Sequence, residues 1–246
     1  MTAIRLNSVT KRFRGPGGSV TALDKVELEI PSGQFVVIVG HNGSGKSTLL
    51  NLLAGKEMPD EGVISMNSAS GDADARGAPN ISFVEQDPRR GTADDLSVAE
   101  HLHLATLKTS PSIFGRIDQG RRASASGLQE KLSADAESLS GGQRQLLTLE
   151  MAAAGGASLI LLDEPTASLD RVNATYCLSE IERLNSTLGA TIILATHDLV
   201  AAARMGDRLI VLVDGQVKWD KTNQSKRGLS AEDIFRLIET GEDLIS

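Results

Sequence analysis

The run Gly40-His41-Asn42-Gly43-Ser44-Gly45-Lys46-Ser47-Thr48 carries two glycines, a lysine and a hydroxyl at the spacing G-x-x-x-x-G-K-[ST]. Such a run turns its backbone N–H groups onto a polyphosphate, while the lysine meets the β/γ charge and the hydroxyl can hold Mg²⁺. Ordinary residue frequencies produce the pattern in on the order of one chain in a hundred of this length. Downstream stands Leu139-Ser140-Gly141-Gly142-Gln143, a pentapeptide expected in roughly one chain in several thousand. Ser140, Gly141 and Gly142 precede an apolar helical pattern of Leu146, Leu147, Leu149 and Met151. That places a helix N-terminus with bare N–H groups there, and such an end attracts phosphate.

Other residues gain meaning beside these two motifs. Asp163-Glu164 follows the apolar residues 159–162. A carboxylate at the end of a buried strand can support Mg²⁺, often through water, and its neighbour can orient and deprotonate an attacking water. Two adjacent acids alone could equally form a surface turn; Lys46 and Ser47 upstream favour the chemical reading. His197 follows the apolar residues 192–195 and Thr196, at the carboxyl edge where open α/β sheets bind ligands. By itself it would be a packed or capping imidazole. Gln86 ends a short strand and alone would be surface, while Phe13 offers an aromatic face or a core side chain. Cys177, the one cysteine, has no disulfide mate and no nucleophile setting, so an inert thiol is expected. His101 and His103 lie in a helical stretch and are assigned no chemistry.

The elements that must position these groups read as an alternating α/β chain. Paired strands over 4–9 and 26–30 are joined by the glycine-rich residues 15–19. The strand Phe35–Val39 then runs into the phosphate loop and a helix over Lys46–Leu53, the context that motif requires. Residues 68–79 read as a flexible hairpin tip, and a strand over Ile81–Val84 ends at Glu85-Gln86-Asp87-Pro88. A helical insertion follows, with helical spacing over 98–104 and a Gly/Ser/Arg-rich, mobile segment over 110–127. The strand–helix pattern resumes with a helix after Gly141, a strand over 158–163, a helix over 173–188 and a strand over 191–196. Residues 209–213 and 216–219 form a hairpin across Asp214-Gly215. Ser230-Ala231-Glu232-Asp233 opens a last helix with a capping signature and the apolar stripe Ile234, Leu237, Ile238.

Composition narrows the function classes. A chain of 246 residues buries a full core and forms one compound domain. The formal charge of −7 argues against general nucleic-acid binding, which needs a basic footprint. The clusters Lys11-Arg12-Phe13-Arg14, Arg89-Arg90 and Arg121-Arg122 read as solvated surface, with Arg89-Arg90 singled out by position. No apolar run approaches the roughly 20 residues that span a bilayer. Met1-Thr2-Ala3-Ile4-Arg5 shows no signal-peptide core, which predicts a cytosolic protein.

With both motifs on one chain, the sequence resembles the ATP-binding-cassette (ABC) ATPases nearly end to end. The resemblance implies a RecA-like phosphate-loop core with an antiparallel β subdomain and an inserted helical subdomain. It divides the single domain 1–246 into a core of 1–86 and 140–225, a helical insertion of 87–139 and a C-terminal helix within 226–246. It makes residues 40–48 the ATP phosphate site, Phe13 the adenine stack, and Ser47, Gln86 and Asp163 the Mg²⁺ supports. Glu164 matches the catalytic base, His197 the switch histidine at the γ-phosphate, and Gln86 the hinge glutamine. Ser140, Gly141, Gly142 and Gln143 match the signature that closes on ATP held by a second subunit. Asp170, in Ser168-Leu169-Asp170, matches the loop that crosses between subunits, and Arg89-Arg90 stand where the family meets its membrane partner.

The function so implied is Mg²⁺-dependent ATP hydrolysis by a homodimer, or a heterodimer with a similar ATPase, that sandwiches two ATPs. It would power solute transport through separate permease subunits, from the cytoplasmic face of the inner membrane, as an importer served by a solute-binding protein. Gln86-Asp87-Pro88 with Gly91-Thr92-Ala93, the stretch Leu146-Leu147-Thr148-Leu149 and the ending Leu229-Ser230-Ala231-Glu232-Asp233 resemble a bacterial import subgroup associated with aromatic amino acids and other small solutes. Pro165, where that subgroup often has His, and residues 110–127 depart from its pattern. Two rivals remain: a soluble ABC ATPase for cofactor assembly such as iron–sulfur delivery, and a nucleotide-binding regulator. Soluble companions would favour the first; intact Lys46, Asp163, Glu164 and His197 argue against the second.

Overall fold

A computed structural model of the chain describes residues 2–15, 18–67, 79–107 and 128–240. Most of the anticipated hairpin tip at 68–79 and the whole segment 110–127, with Arg121-Arg122, lie outside the described residues. The chain divides into two compact units, one of Met1–Pro79 with Thr191–Ser246 and one of Asn80–Ala190.

The first unit contains an antiparallel sheet and a mostly parallel one. Strands β1 (Thr2–Gly15) and β2 (Gly18–Pro31) pair antiparallel along their length, and β4 (Glu61–Met66) covers the other edge of β1. Ile4, Leu6 and Val9 are all buried although Leu6 and Val9 are an odd number of residues apart. A register shift between Leu6 and Val9 explains this, because one extra residue returns the apolar set to the same face. Both arms run well beyond the strands expected at 4–9 and 26–30. Their distal residues, such as Arg12, Arg14 and Thr21, are exposed, so no alternation marks them. β4 was not anticipated at all: it is an edge strand with mostly exposed side chains.

The second sheet of this unit places β7 (Thr191–Ala195), β3 (Phe35–Val39), β8 (Arg208–Val213) and β9 (Gln216–Thr222) side by side in that order. β3 lies parallel to both β7 and β8, and β9 returns antiparallel. β3 and β7 are buried along every residue, as central strands with continuous apolar runs must be. Helix α1 (Lys46–Leu53) follows β3 and buries Leu49, Leu50, Leu52 and Leu53. The last helix, over Ala231–Thr240, buries Ile234, Leu237 and Ile238 as its stripe predicts. Ser230 and Asp233 cap its start: the Asp233 N–H donates to Ser230 Oγ at 3.2 Å and the Ser230 N–H to Asp233 Oδ2 at 2.9 Å.

Among its described residues the second unit pairs two parallel strands, β5 (Ile81–Val84) and β6 (Leu159–Asp163), and carries the α-helices α2 (Val98–Thr106), α3 (Gly141–Ala154) and α4 (Arg171–Leu188). α3 packs on both α2 and α4. Arg144, in α3, is buried and donates to Asp94 Oδ1 at 2.6 Å and to the Ala136 carbonyl at 2.5 Å. A buried guanidinium satisfied in this way ties the helix to the loops before it. Cys177 is buried, and burial pushes its thiol up to about 12, in keeping with the inert role expected of it. His101 is likewise structural: Ala93 N–H donates to Nε2 at 2.9 Å, which leaves Nδ1 to donate to the Ser97 carbonyl at 2.9 Å.

Candidate functional site

In the first unit, the phosphate-loop residues occupy the turn between β3 and α1. Gly45 caps α1 in a left-handed conformation at φ 104° and, having no side chain, makes no cap hydrogen bond of its own. The positive end of the helix dipole stands behind this turn and favours an anion there. A Cβ on Gly45 would sit 2.4 Å from the Ala22 carbonyl of β2, and one on Gly40 would sit 2.1 Å from the Leu212 carbonyl of β8. Neighbouring backbone thus approaches too closely for any side chain, which is why these positions require glycine.

The turn after β8 braces the same loop. Gly215 N–H donates to the Ser44 carbonyl at 3.1 Å, and Asp24 N–H, on β2, donates to the Gly215 carbonyl at 2.9 Å. Lys46 is 6% exposed, and its Nζ donates to the carbonyls of Gly40 at 2.8 Å and His41 at 3.0 Å. An ammonium so held is aimed before any ligand arrives. Ser44 Oγ is buried with no hydrogen-bond partner among the described residues. A polar atom left so is costly unless a ligand completes it. The donor set of the loop therefore fits a polyphosphate. His41, Asn42, Gly43 and Ser47 are exposed and Thr48 is half-buried.

Two more expected residues belong to this unit. His197 is exposed, and it follows Thr196 at the end of β7. Ile38 of β3 pairs with Ala195 of β7, so the parallel register carries His197 and the phosphate loop off the same edge of the sheet. Asp198 then caps helix α5 (Leu199–Arg204) by accepting from Val200 and Ala201 N–H at 2.9 and 3.0 Å. Phe13 is 41% exposed on β1, which excludes a core role. Lys11 Nζ lies 5.2 Å from its ring centroid and is itself held by the Met58 carbonyl and Glu57, each at 2.9 Å.

The second unit carries the remaining candidates. Val84 of β5 pairs with Leu162 of β6, and two residues beyond that pair come Gln86 and Glu164. Asp163 ends β6 half-buried, and Glu164 follows with φ 48°. A left-handed conformation at a non-glycine residue stores strain, a condition found at working sites when the surroundings enforce it. The turn continues with Ala167 N–H donating to the Glu164 carbonyl at 3.1 Å. Asp87 caps the short 3₁₀ turn Pro88–Gly91, and Arg90 folds back on Glu85 at 3.1 Å while Arg89 stays exposed.

The pentapeptide starts α3 as expected, but its N-terminus is not bare. Ser140 and Gln143 form a reciprocal cap: Gln143 N–H donates to Ser140 Oγ at 3.3 Å, and Ser140 N–H to Gln143 Oε1 at 3.1 Å. Lys131 Nζ also donates to Gln143 Oε1, at 3.1 Å. The S-x-x-Q spacing that signals this box was present in the sequence. Gly141 is exposed, whereas Gly142 is buried against Asn173. Asp170 caps α4 by accepting from Val172 and Asn173 N–H, each at 3.0 Å, and from the Asn173 amide. The Asn173 donors, backbone first, hold the Asp170 carboxyl below its ordinary value. Among the described residues no group of three or more His, Cys, Asp or Glu side chains could hold a metal by itself, and none of the helices is long and apolar enough to cross a membrane.

A family model described as ABC transporter matches residues 23–167. The chain is 32% identical to a tyrosine transport ATP-binding protein of Clostridioides difficile, over 96% of this chain and 98% of that one. It is 34% identical to an aliphatic sulfonates import ATP-binding protein of Rhizobium johnstonii, over 89% of this chain and 76% of the relative. Among solved structures it is similar to a dimeric ATP-binding cassette in a post-hydrolysis state bound to ADP and phosphate. That match has a TM-score of 0.76 and 29% identity, and covers 92% of this chain and 100% of the other.

Proposed function

We propose, since this chain belongs to the ABC transporter family of ATPases, that it is the subunit whose ATP hydrolysis drives solute import through separate membrane permeases. The observation that carries the reading is the phosphate loop. Lys46 is held by two loop carbonyls at the start of α1, beside Ser44, whose buried hydroxyl has no partner among the described residues. Residues 40–48 bind the phosphates, and Phe13 offers its exposed face to adenine.

Catalysis of this kind rests on positioning and charge stabilisation rather than covalent chemistry. Glu164 takes the proton of a water attacking the γ-phosphate in line, and Gln86 orients that water. Lys46 and His197 stabilise charge on the transferred group. Ser47, Gln86 and Asp163 would supply hard oxygen ligands to Mg²⁺, which when bound would neutralise phosphate charge. Among the described residues no cluster of three or more His, Cys, Asp or Glu could hold a metal alone, so this set would suit an ion that also takes substrate oxygens and water.

The active form is a dimer in which Ser140, Gly141, Gly142, Gln143 and Asp170 of one chain meet the ATP held by the other. The cassette seen as a dimer with ADP and phosphate supports this. Import is supported by the names of the tyrosine and sulfonate relatives. Permeases, and a solute-binding protein feeding them, complete the system, with this chain peripheral on the cytoplasmic face of the membrane and Arg89 and Arg90 at the contact. Isolation of the tagged chain from native membranes, followed by mass spectrometry of its companions, tests the proposal. A multi-span permease is the expected companion; soluble assembly proteins alone would overturn the transport reading.

A further inference from the structure

The exposed ring of His41, on the phosphate loop, reaches the last helix of the same unit, α7 (Ala231–Thr240; the short α6 is Asn223–Lys226). His41 Nε2 lies 3.2 Å from Glu239 Oε1. Glu239 is not on a loose tail, because Ile234, Leu237 and Ile238 anchor its helix in the core. The backbone carbonyl of His41 has its own work: it accepts from Lys46 Nζ at 3.0 Å and from Ser44 N–H at 3.1 Å. A continuous path therefore runs from the Glu239 carboxylate through the His41 ring and backbone to the ammonium of Lys46.

We propose that Glu239 is a positioning residue for the phosphate-binding loop, acting through His41 to hold the carbonyl that aims Lys46. The inference rests on the ATPase reading above and adds to it a role for the C-terminal helix. Neither motif includes Glu239. Two effects of the carboxylate oppose each other. Its negative charge disfavours a nearby polyphosphate, while its bond to the imidazole steadies the loop that binds it. Glutamine at 239 removes the charge and keeps an acceptor for the His41 N–H; alanine removes both. The contrast between the two variants isolates positioning from charge.

The test measures KM for ATP and kcat on the full-length chain as wild type, E239Q and E239A, each also in the H41A background, with thermal unfolding as a check on folding. The expected result is a KM for E239Q at or below that of wild type. KM for E239A should lie about twofold to fivefold above E239Q, the range of a half-exposed ionic contact, with kcat unchanged. In the H41A background the difference between E239A and E239Q should vanish. Equal KM values for the two variants, or a difference that persists without the imidazole, would overturn the proposal. A wild-type chain that binds ATP but shows either result discards the role of Glu239 alone. A wild-type chain that neither binds nor hydrolyses ATP discards the ATPase reading and this role with it.

Discussion

Gly142, the second glycine of the pentapeptide and part of the first turn of α3, lies so close to Asn173 that a Cβ at 142 would stand 2.8 Å from Asn173 Cγ. Asn173 is in turn held by Asp170, so the starts of α3 and α4 are locked together. Replacement of Gly142 by alanine should push these two helix starts apart. Overpacking of this kind costs about 1–3 kcal/mol, and ATPase activity should fall at least tenfold. Asn173→Ala in the same chain should recover part of the stability, as read by urea unfolding, because Cγ and Oδ1 are then gone and only Cβ, at 3.0 Å, stays close.

Gly45→Ala strikes the loop from the other side. The added methyl would face the Ala22 carbonyl at 2.4 Å with a backbone φ of 104°. Strain at a disfavoured φ alone costs about 1–3 kcal/mol, and here a backbone clash is added. Calorimetric titration with ATP should show no binding even where circular dichroism reports a folded chain.

Glu164 combines a role with a strained backbone. Glu164→Gln should bind ATP, lose nearly all turnover and elute as an ATP-bound dimer on size-exclusion chromatography; normal turnover would remove Glu164 as the base. Glu164→Gly should also be inactive, yet more stable by about 1 kcal/mol, since glycine relieves the φ of 48°.

Phe13 is exposed, so its loss should leave stability within about 0.5 kcal/mol. Phe13→Ala should raise KM for ATP severalfold with kcat retained, whereas Phe13→Tyr should match wild type. A steady-state comparison of ATP and GTP in the three proteins would show whether the ring discriminates between bases.

Lys226 makes the pH dependence of stability predictable. Its side chain is buried and donates to the Met205 and Gly206 carbonyls after α5. Burial lowers its ammonium from 10.5 to about 8, with Asp207 opposing the shift. Below about 8 both folded and unfolded chains are protonated and the folded state carries the full cost of the buried charge. Between about 8 and 10.5 the unfolded chain binds a proton that the folded chain lacks, so this group makes stability rise with pH. The melting temperature of wild type relative to Lys226→Met should climb across that window and be flat below it.

The chemistry of this protein was legible in the order of its residues. A phosphate loop is a contiguous motif whose glycine, lysine and hydroxyl spacing carries its own mechanism; the helix start at Ser140 is legible too, but its N–H groups, expected bare, are met by the Ser140–Gln143 cap. The buried strands β3 and β7 follow from continuous apolar runs and the stripe of α7 from apolar period. The exposed arms of β1 and β2, and the edge strand β4, carry no such period in the sequence, because pairing with a neighbouring strand rather than burial holds them in place. Tertiary structure alone decided that Gly45 lies under β2, that Gly142 meets Asn173 and that Glu239 reaches His41. Each of those depends on the approach of segments distant in sequence, and residue type signals only that an approach is possible, never which partner makes it.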